Sequence, residues 1–220
     1  MAKLRFTDPP ESLEGKRYSF YRDWLNINFY EQLCSYCLLQ FKACLEIEHY
    51  EPQSYAPELR DDPANLLLGC PKCNNGKLDY HPEHGSRRRL PISKENRGFS
   101  VIDIREEDFS DLFELEIDGE LKAKHNSNRE RVKFNIVDLL RLNAPSHKKM
   151  RARCIKYVNA CEAILSKGSI EKEDEQPLNV LIELCAERHL FYRAFDITLS
   201  DVLTTLIDKY LAENKPQLVT

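Results

Sequence analysis

Hydrophobic and polar positions divide the chain into a mixed first part and a helical second part. Residues 45–50, LEIEHY, alternate with period two and predict a short strand, and the apolar run at 65–70, NLLLGC, predicts a second strand or a turn into a buried site. A proline-punctuated loop separates the two, and a helix is expected to open after Cys73. Ahead of them, residues 18–33 predict an amphipathic helix whose core-facing positions are Phe20, Trp24, Ile27 and Leu33.

The second part begins with a hairpin and continues as helices. Residues 112–124 alternate on both sides of Asp118-Gly119, a dipeptide that is typical of a tight hairpin turn. From residue 131 the pattern becomes helical, and another helix is predicted at 146–165. Apolar side chains recur at three-residue steps in the first of these helices, at Phe134, Val137 and Leu140.

The last third of the sequence predicts two further helices, at roughly 177–189 and 199–212, after an acidic linker at 171–177. Ser200 or Thr198 is the expected cap of the final helix. The elements together predict an α+β fold: a small metal-bearing module at residues 1–85, then a hairpin and a mostly helical part at 86–220 that could bind DNA or a partner.

The composition is that of an ordinary globular protein, with 42% hydrophobic and 31% charged residues among 220. No apolar run reaches the ~18 residues that a membrane span requires, and the N-terminus lacks the apolar core of a secretory signal. We therefore expect a cytoplasmic protein with no membrane contact, in which the eight cysteines are reduced and bind metal or lie buried.

The formal net charge of −4 argues against a protein that coats nucleic acid through bulk electrostatics. Basic residues are nevertheless in excess between residues 86 and 156, and such clusters can follow backbone phosphates. A solvated helix face is the alternative explanation for each of them. The clusters comprise Arg87, Arg88, Arg89, Arg129, Arg131, Lys133, Lys148, Lys149, Arg151 and Arg153.

Two Cys-x-x-Cys pairs provide the strongest motif. Cys34 and Cys37 form the first pair, and Cys70 and Cys73 form the second. Four thiolates supply the tetrahedral sulfur shell of a closed structural zinc site, which contributes folding energy. Iron in the same geometry, or two unrelated reduced pairs, are the alternatives. The other cysteines are expected to be buried as small apolar side chains: Cys44, Cys154, Cys161 and Cys185.

A zinc ion saturated by sulfur has no open position, so chemistry would fall to the polar residues that it holds in place. Phosphodiester hydrolysis needs a base to deprotonate water and a hard cation to neutralise the phosphate. His49 suits the first role, and the oxygens of Glu48 and Asn74 suit Mg²⁺. Neighbours on a strand face opposite sides, so Glu48 and His49 share one site only if the strand end bends or the metal approaches its edge.

The cysteine pairs, IEHYEPQS, ANLLLGCPKCN and the following lysine resemble the HNH, or ββα-metal, nuclease family over about residues 34–78. The resemblance implies His49 as general base, Glu48 and Asn74 as ligands of a catalytic Mg²⁺ or Mn²⁺, and Asn65 as the brace of the loop between the strands. It also implies that Lys77 meets a phosphate. From the charge pattern, Arg87, Arg88 and Arg89 are expected to add a nucleic-acid contact. His81 and His84 could approach the same cleft. His125, His147 and His189 are expected to be surface or core residues.

A looser set of motifs over residues 1–160 resembles the nuclease family of Septu-type and retron-associated anti-phage systems. These include CSYC, NLLLGCPKCNNGK, EIDGEL and NIVDLLRLNAPSHKKMRARC. That resemblance implies a DNA endonuclease that works with an ABC-type ATPase. The alternative function is a zinc-stabilised nucleic-acid-binding or adaptor module without catalysis, which would have no need of Glu48, His49 and Asn74. A zinc hydrolase of another kind is disfavoured, because sulfur saturates the zinc.

Overall fold

The computed structural model describes residues 8–28, 33–39, 45–86, 98–126 and 128–214. At the N-terminus, a 3₁₀ turn at Tyr18–Tyr21 leads into helix α1, Arg22–Asn28. The expected helix therefore begins with a tighter turn, which rotates its buried face, and the side chain of Ile27 and residues 29–32 lie outside the described part of the chain. Tyr21 and Leu25 point into the core, whereas Phe20 is 62% exposed, so its expected core position is wrong.

The predicted strand–strand–helix unit is confirmed. Strand β1, Glu46–His49, pairs antiparallel with β2, Leu66–Gly69, and helix α2, Pro71–Lys77, follows β2 directly. Every residue of β2 is buried, as its uninterrupted apolar sequence requires. The intervening loop contains 3₁₀ turns at Pro57–Leu59 and Pro63–Asn65, each opened by the proline that the loop prediction noted.

The hairpin is also confirmed. Helix α3, Phe109–Leu112, runs into β3, Phe113–Leu115, which pairs antiparallel with β4, Leu121–Ala123. Gly119 has φ +84° in the turn, and a Cβ added there would lie 2.1 Å from the carbonyl oxygen of Lys148. Only glycine therefore allows the hairpin turn to rest on the following long helix.

The segment predicted as one regular helix after residue 131 contains a π turn. Helix α4, Arg129–Phe134, continues into π geometry over Asn135–Leu139. The wider turn shifts the following side chains around the axis, so Ile136 is buried and Val137 is 65% exposed. The expected inward position of Val137 is therefore wrong. Asn135, fully buried, stabilises the turn by accepting from Ile102 N–H and donating to the Ser100 and Arg131 carbonyls.

Four helices complete the described chain: α5, Pro145–Leu165; α6, Lys172–Ala186; α7, His189–Ala194; and α8, Asp201–Asn214. The expected acidic linker forms the first turns of α6, where its carboxylates favour the positive end of the helix dipole. The Ser200 hydroxyl accepts from Leu203 N–H at the start of α8, which confirms that cap. Helix α7 was not predicted.

The C-terminal helices share one core, in which α6 packs against both α5 and α8. Cys154, Cys161 and Cys185 are buried in it, as expected, while Cys44 lies outside the described residues. The buried aliphatic side chains at these contacts are Val158, Leu178, Ile182, Leu203 and Ile207. Among the described helices, none combines the length and the apolar character needed to span a bilayer.

Buried contacts join the strand–strand–helix unit to the second part of the chain. A Cβ on Gly76 of α2 would lie 2.8 Å from the carbonyl oxygen of Leu139, so α2 rests on the backbone of the π turn. The Tyr50 hydroxyl donates to the Val101 carbonyl at 3.0 Å, and the Tyr80 ring packs on Phe134.

Candidate active site

The four paired cysteines converge into one buried cluster. Their sulfur atoms lie within 4.8 Å of one another. Tetrahedral zinc with Zn–S bonds of about 2.3 Å places its sulfurs about 3.8 Å apart, so this donor set fits zinc. Backbone contacts hold the turns together: Ser35 N–H donates to the Leu68 carbonyl, and Cys70 caps α2 by accepting from Cys73 N–H. The cluster therefore supports a structural zinc site that ties the first turn to β2 and α2.

His147 reaches the same cluster from α5. Its side chain is buried, and its Nε2 lies 3.9 Å from the Cys70 sulfur. A hydrogen bond from an imidazole N–H to a thiolate orients a metal ligand and stabilises its charge. His147 carried no signal in the sequence beyond its residue type, because α5 is remote from the cysteines along the chain.

Glu48, His49 and Asn74 line one cavity of about 380 Å³, together with Gln53 and Asp79. The ββα unit brings them together because β1 ends at His49 and Asn74 lies at the middle of α2, which follows β2 directly. Gly69 leaves room between two of them: a Cβ there would contact the Cβ atoms of Glu48 and Asn74 at 3.5 and 3.6 Å. Glu48 and His49, although neighbours on the strand, therefore line the same cavity. Strand alternation alone had not decided whether they could share one site.

Hydrogen bonds fix the protonation state and orientation of His49. Its Nε2 lies 2.8 Å from the carbonyl oxygen of Arg60, which can only accept, so Nε2 carries the ring proton. Nδ1 then keeps a lone pair, and the Gln53 amide nitrogen lies close to both ring nitrogens, 3.1 Å from Nδ1 and 3.2 Å from Nε2. Tyr18 packs edge-on against the ring. Burial lowers the pKa of His49, which favours the neutral imidazole that a general base needs.

Glu48 pairs with Lys77 beneath the cavity. The Lys77 ammonium lies 2.7 Å from a Glu48 carboxylate oxygen and 2.7 Å from the His49 carbonyl oxygen. Lys77 is fully buried, so it has no surface from which to meet a phosphate, contrary to the sequence-based expectation. Burial raises the pKa of Glu48, and the neighbouring ammonium opposes that rise.

Asn74 is oriented by a residue that the sequence analysis missed. Its amide nitrogen donates to a Glu46 carboxylate oxygen at 2.6 Å, which leaves the amide oxygen as the acceptor. Glu46 lies two positions before Glu48, so both carboxylates project from the same face of β1. That alternation was visible in the sequence and could have identified Glu46. The set of oxygen donors from Glu48 and Asn74 fits a hard divalent cation.

Asn65 holds the loop that follows β1. Its amide oxygen accepts from Glu51 N–H at 2.7 Å, and its amide nitrogen donates to the carbonyls of Glu51 and Leu59. These bonds link both ends of the loop, from which Gln53 and the Arg60 carbonyl reach His49. The role is one of positioning, since Asn65 itself is buried.

The sequence also suggested other histidines and several basic residues for this site. His81 and His84 stack on each other and on Tyr55, and their ligand atoms lie close to that of Glu83. Neither histidine is among the described residues that line the cavity. Arg87, Arg88 and Arg89 lie outside the described residues. Several cations of the basic clusters are already paired: Arg131 with Glu107, and Lys148 with Asp118 and Glu120.

Comparison with known families agrees with this geometry. Residues 34–79 match the family model of the HNH endonuclease. A search of curated proteins finds no match to the chain. The matched segment spans both cysteine pairs, β1, β2 and α2, and it ends just beyond Lys77. The chain thus carries a nuclease domain of the metal-dependent, phosphodiester-hydrolysing type, whose substrate is nucleic acid.

Proposed function

We propose that the HNH endonuclease domain cleaves DNA, with His49 as general base and with Glu48 and Asn74 as the ligands of a catalytic Mg²⁺ or Mn²⁺. The observation that carries this proposal is the His49 geometry. The imidazole has an unprotonated Nδ1 and lines one cavity with Glu48 and Asn74, while its Nε2–H is bound to a carbonyl.

In this mechanism His49 Nδ1 accepts the proton of the attacking water. The Arg60 carbonyl then stabilises the imidazolium through its bond to Nε2–H, and Gln53 must give way to the water at Nδ1. When bound, the divalent cation would neutralise charge on the scissile phosphate and on the leaving oxygen. Glu46 orients Asn74 toward that role, and Asn65 keeps the loop that aligns the imidazole.

Lys77 contributes to this site through its ion pair with Glu48. The Lys77 ammonium already balances the negative charge of Glu48. Glu48 alone would therefore attract a divalent cation only weakly. Glu46 adds a further carboxylate, which accepts a hydrogen bond from the Asn74 amide. We therefore assign Lys77 and Glu46 to the positioning of the ligands, in place of the phosphate contact expected for Lys77.

The experiment is plasmid cleavage by purified, zinc-loaded protein with Mg²⁺ or Mn²⁺. We expect His49→Ala to lose activity by about 10²–10⁴-fold, the usual contribution of a general base. His125→Ala, which removes an exposed histidine, is the matched control and should cut like the wild type. Undiminished cutting by His49→Ala at equal zinc content would overturn the assignment of the base.

The resemblance to Septu-type nucleases supports a finer proposal: the protein is the effector of a bacterial anti-phage system and acts with an ABC-type ATPase. Its net charge of −4 agrees with weak binding of DNA in isolation, since phosphate neutralisation supplies most non-specific affinity. Residues 1–85 would form the nuclease module, and residues 86–220 would contact DNA or the ATPase. Co-purification with an ATPase encoded beside it, and faster cleavage in its presence, are the expected results; vigorous unregulated cutting by the isolated protein would contradict this proposal.

A further inference from the structure

A second cavity lies on the other side of α2 from the catalytic one. It has a volume of about 440 Å³ and is bounded by α2 and by the segment between the π turn and α5. Lys72 and Asn75 come from α2, and Leu140 and Arg141 come from the second part of the chain. Asn75 lines both cavities, so the two are separated by the width of this short helix.

The two cavities differ in charge. Glu48 and Asp79 line the catalytic cavity, whereas the described residues that line the second cavity include two cations and no carboxylate. Both Lys72 and Arg141 are exposed. The Lys72 ammonium donates to the hydroxyl of Ser146, a neutral group that leaves its charge uncompensated. The first cavity therefore suits a cation, and the second suits an anion.

Arg141 is held in place by its backbone while its head group stays available. It has φ +51°, in the left-handed region that is costly for a residue with a side chain. The flanking Leu140 and Leu142 are buried and fix this conformation. The Arg141 guanidinium forms no hydrogen bond or ion pair with any residue that the structure describes. A strained, well-anchored backbone that presents an unpaired guanidinium is typical of a binding position.

We propose that Lys72 and Arg141 form a phosphate subsite, which binds the nucleic-acid backbone next to the phosphate that is cleaved. The inference rests on the proposed function of the neighbouring cavity. Lys72 and Asn75 are three positions apart, about 4.5 Å along a helix with a 1.5 Å rise. Since Asn75 also lines the catalytic cavity, a strand that is cleaved there passes close to the subsite, which would bind one of the phosphates near the scissile one.

Lys72 and Arg141 lie outside the basic clusters that the sequence indicated. Arg151, a member of the predicted clusters, is fully buried and donates to the carbonyls of Gly119 and Leu142. Arg131 and Lys148 are paired with carboxylates. Neither Lys72 nor Arg141 stood out as part of a charge run, because the two are remote in sequence and meet only through the packing of α2 on the π turn.

The test measures binding of labelled duplex DNA by fluorescence anisotropy over a series of KCl concentrations, with no divalent cation added. Lys72→Gln and Arg141→Gln each remove one charge and keep most of the side chain. We expect each to weaken binding by a similar factor on unrelated DNA sequences, and to reduce the slope of log K against log[salt] by about 1. Arg193→Gln, which removes an exposed arginine on α7, is the matched control and should keep the wild-type slope.

Thermal melting of each variant confirms that the fold is intact before binding is compared. Wild-type slope and affinity in the double variant would overturn the proposal, as would the absence of salt-dependent DNA binding by the wild type. If the substitutions weakened the binding of RNA of the same sequence but not the binding of DNA, the assignment of DNA as the ligand would be wrong. The binding assay involves no cleavage, so it tests the subsite separately from catalysis. If the variants show the reduced salt slopes but the wild type does not cut DNA, only the catalytic proposal is contradicted. If the variants cut DNA and keep the wild-type salt slope, only the proposed phosphate subsite is contradicted.

Discussion

The His147 imidazole lies 3.9 Å from the sulfur of Cys70, so a helix from the second part of the chain contacts the cysteine cluster of the nuclease domain. Hydrogen bonds of this kind typically change metal affinity by about 10–100-fold. The structure thus connects zinc retention to a residue outside the matched HNH segment.

We expect His147→Leu, which replaces the imidazole by an apolar side chain of similar volume, to weaken zinc binding by about 10–100-fold. Competition with a chromophoric chelator measures this directly. His125→Leu changes an exposed histidine and serves as the control. Equal zinc affinity in the two variants would show that the contact with Cys70 contributes nothing to the metal.

Lys77 and Glu48 form a buried ion pair, and removal of one partner leaves the other charged and unpaired. We expect Lys77→Met to lower the free energy of unfolding by about 3–5 kcal/mol. Adding Glu48→Gln should restore much of this loss, because the orphaned carboxylate is then gone. Urea unfolding of the zinc-loaded single and double variants forms a double-mutant cycle. Strictly additive effects would contradict direct coupling between the two side chains.

Gly119 and Gly168 have similar left-handed backbones, with φ +84° and +77°, but different surroundings. A Cβ on Gly168 meets nothing within 4 Å, whereas one on Gly119 would overlap the Lys148 carbonyl. We expect Gly168→Ala to cost about 1–2 kcal/mol of stability from the backbone alone, and Gly119→Ala to cost substantially more. Urea unfolding compares the two variants, and equal losses would show that the hairpin can move off α5 freely.

Tyr80 makes stability depend on alkaline pH. Burial raises its pKa from 10.0 to about 12, and the hydroxyl donates to the Phe99 carbonyl at 2.6 Å. The folded state therefore favours the protonated phenol. Its contribution is complete below pH 10, where the unfolded chain is also protonated, and it declines as the pH rises from 10 toward 12.

We expect the stability advantage of the wild type over Tyr80→Phe to shrink by on the order of 1 kcal/mol between pH 9 and 11. Chemical unfolding at each pH measures both proteins. Burial also raises the pKa of other tyrosines, such as Tyr50, but these are common to both proteins and cancel in the difference. A constant difference across this range would contradict the raised pKa.

The elements that the sequence predicted well are those with local signals. Alternation identified β1 and the hairpin, an apolar run identified β2, and the spacing of four cysteines identified the cluster. The π turn at Asn135–Leu139 left no comparable signal, because it depends on the bonds of Asn135 to distant backbone groups. Val137 was therefore placed on the wrong face.

The candidate site also combines features that the sequence predicted with features that it could not predict. Glu48, His49 and Asn74 converge as the motif order implied, while their catalytic roles remain predictions. What the motif could not reveal was the set of contacts around them. The family resemblance implied that Lys77 meets a phosphate, yet the Lys77 ammonium is buried and donates to the Glu48 carboxylate and to the His49 carbonyl. Gln53 and the Arg60 carbonyl reach His49 only through the three-dimensional path of the loop.

The close approach of Gly76 to the Leu139 carbonyl limits how this nuclease could be recombined. A chimera that carried residues 34–79 into another protein would keep the complete motif but would lose the backbone surface on which α2 rests. Asn74 lies on that helix, so its alignment with Glu48 would depend on whatever the new host offered as a support. Exchange between proteins is therefore expected to succeed only when the segment through Leu140 travels with the motif.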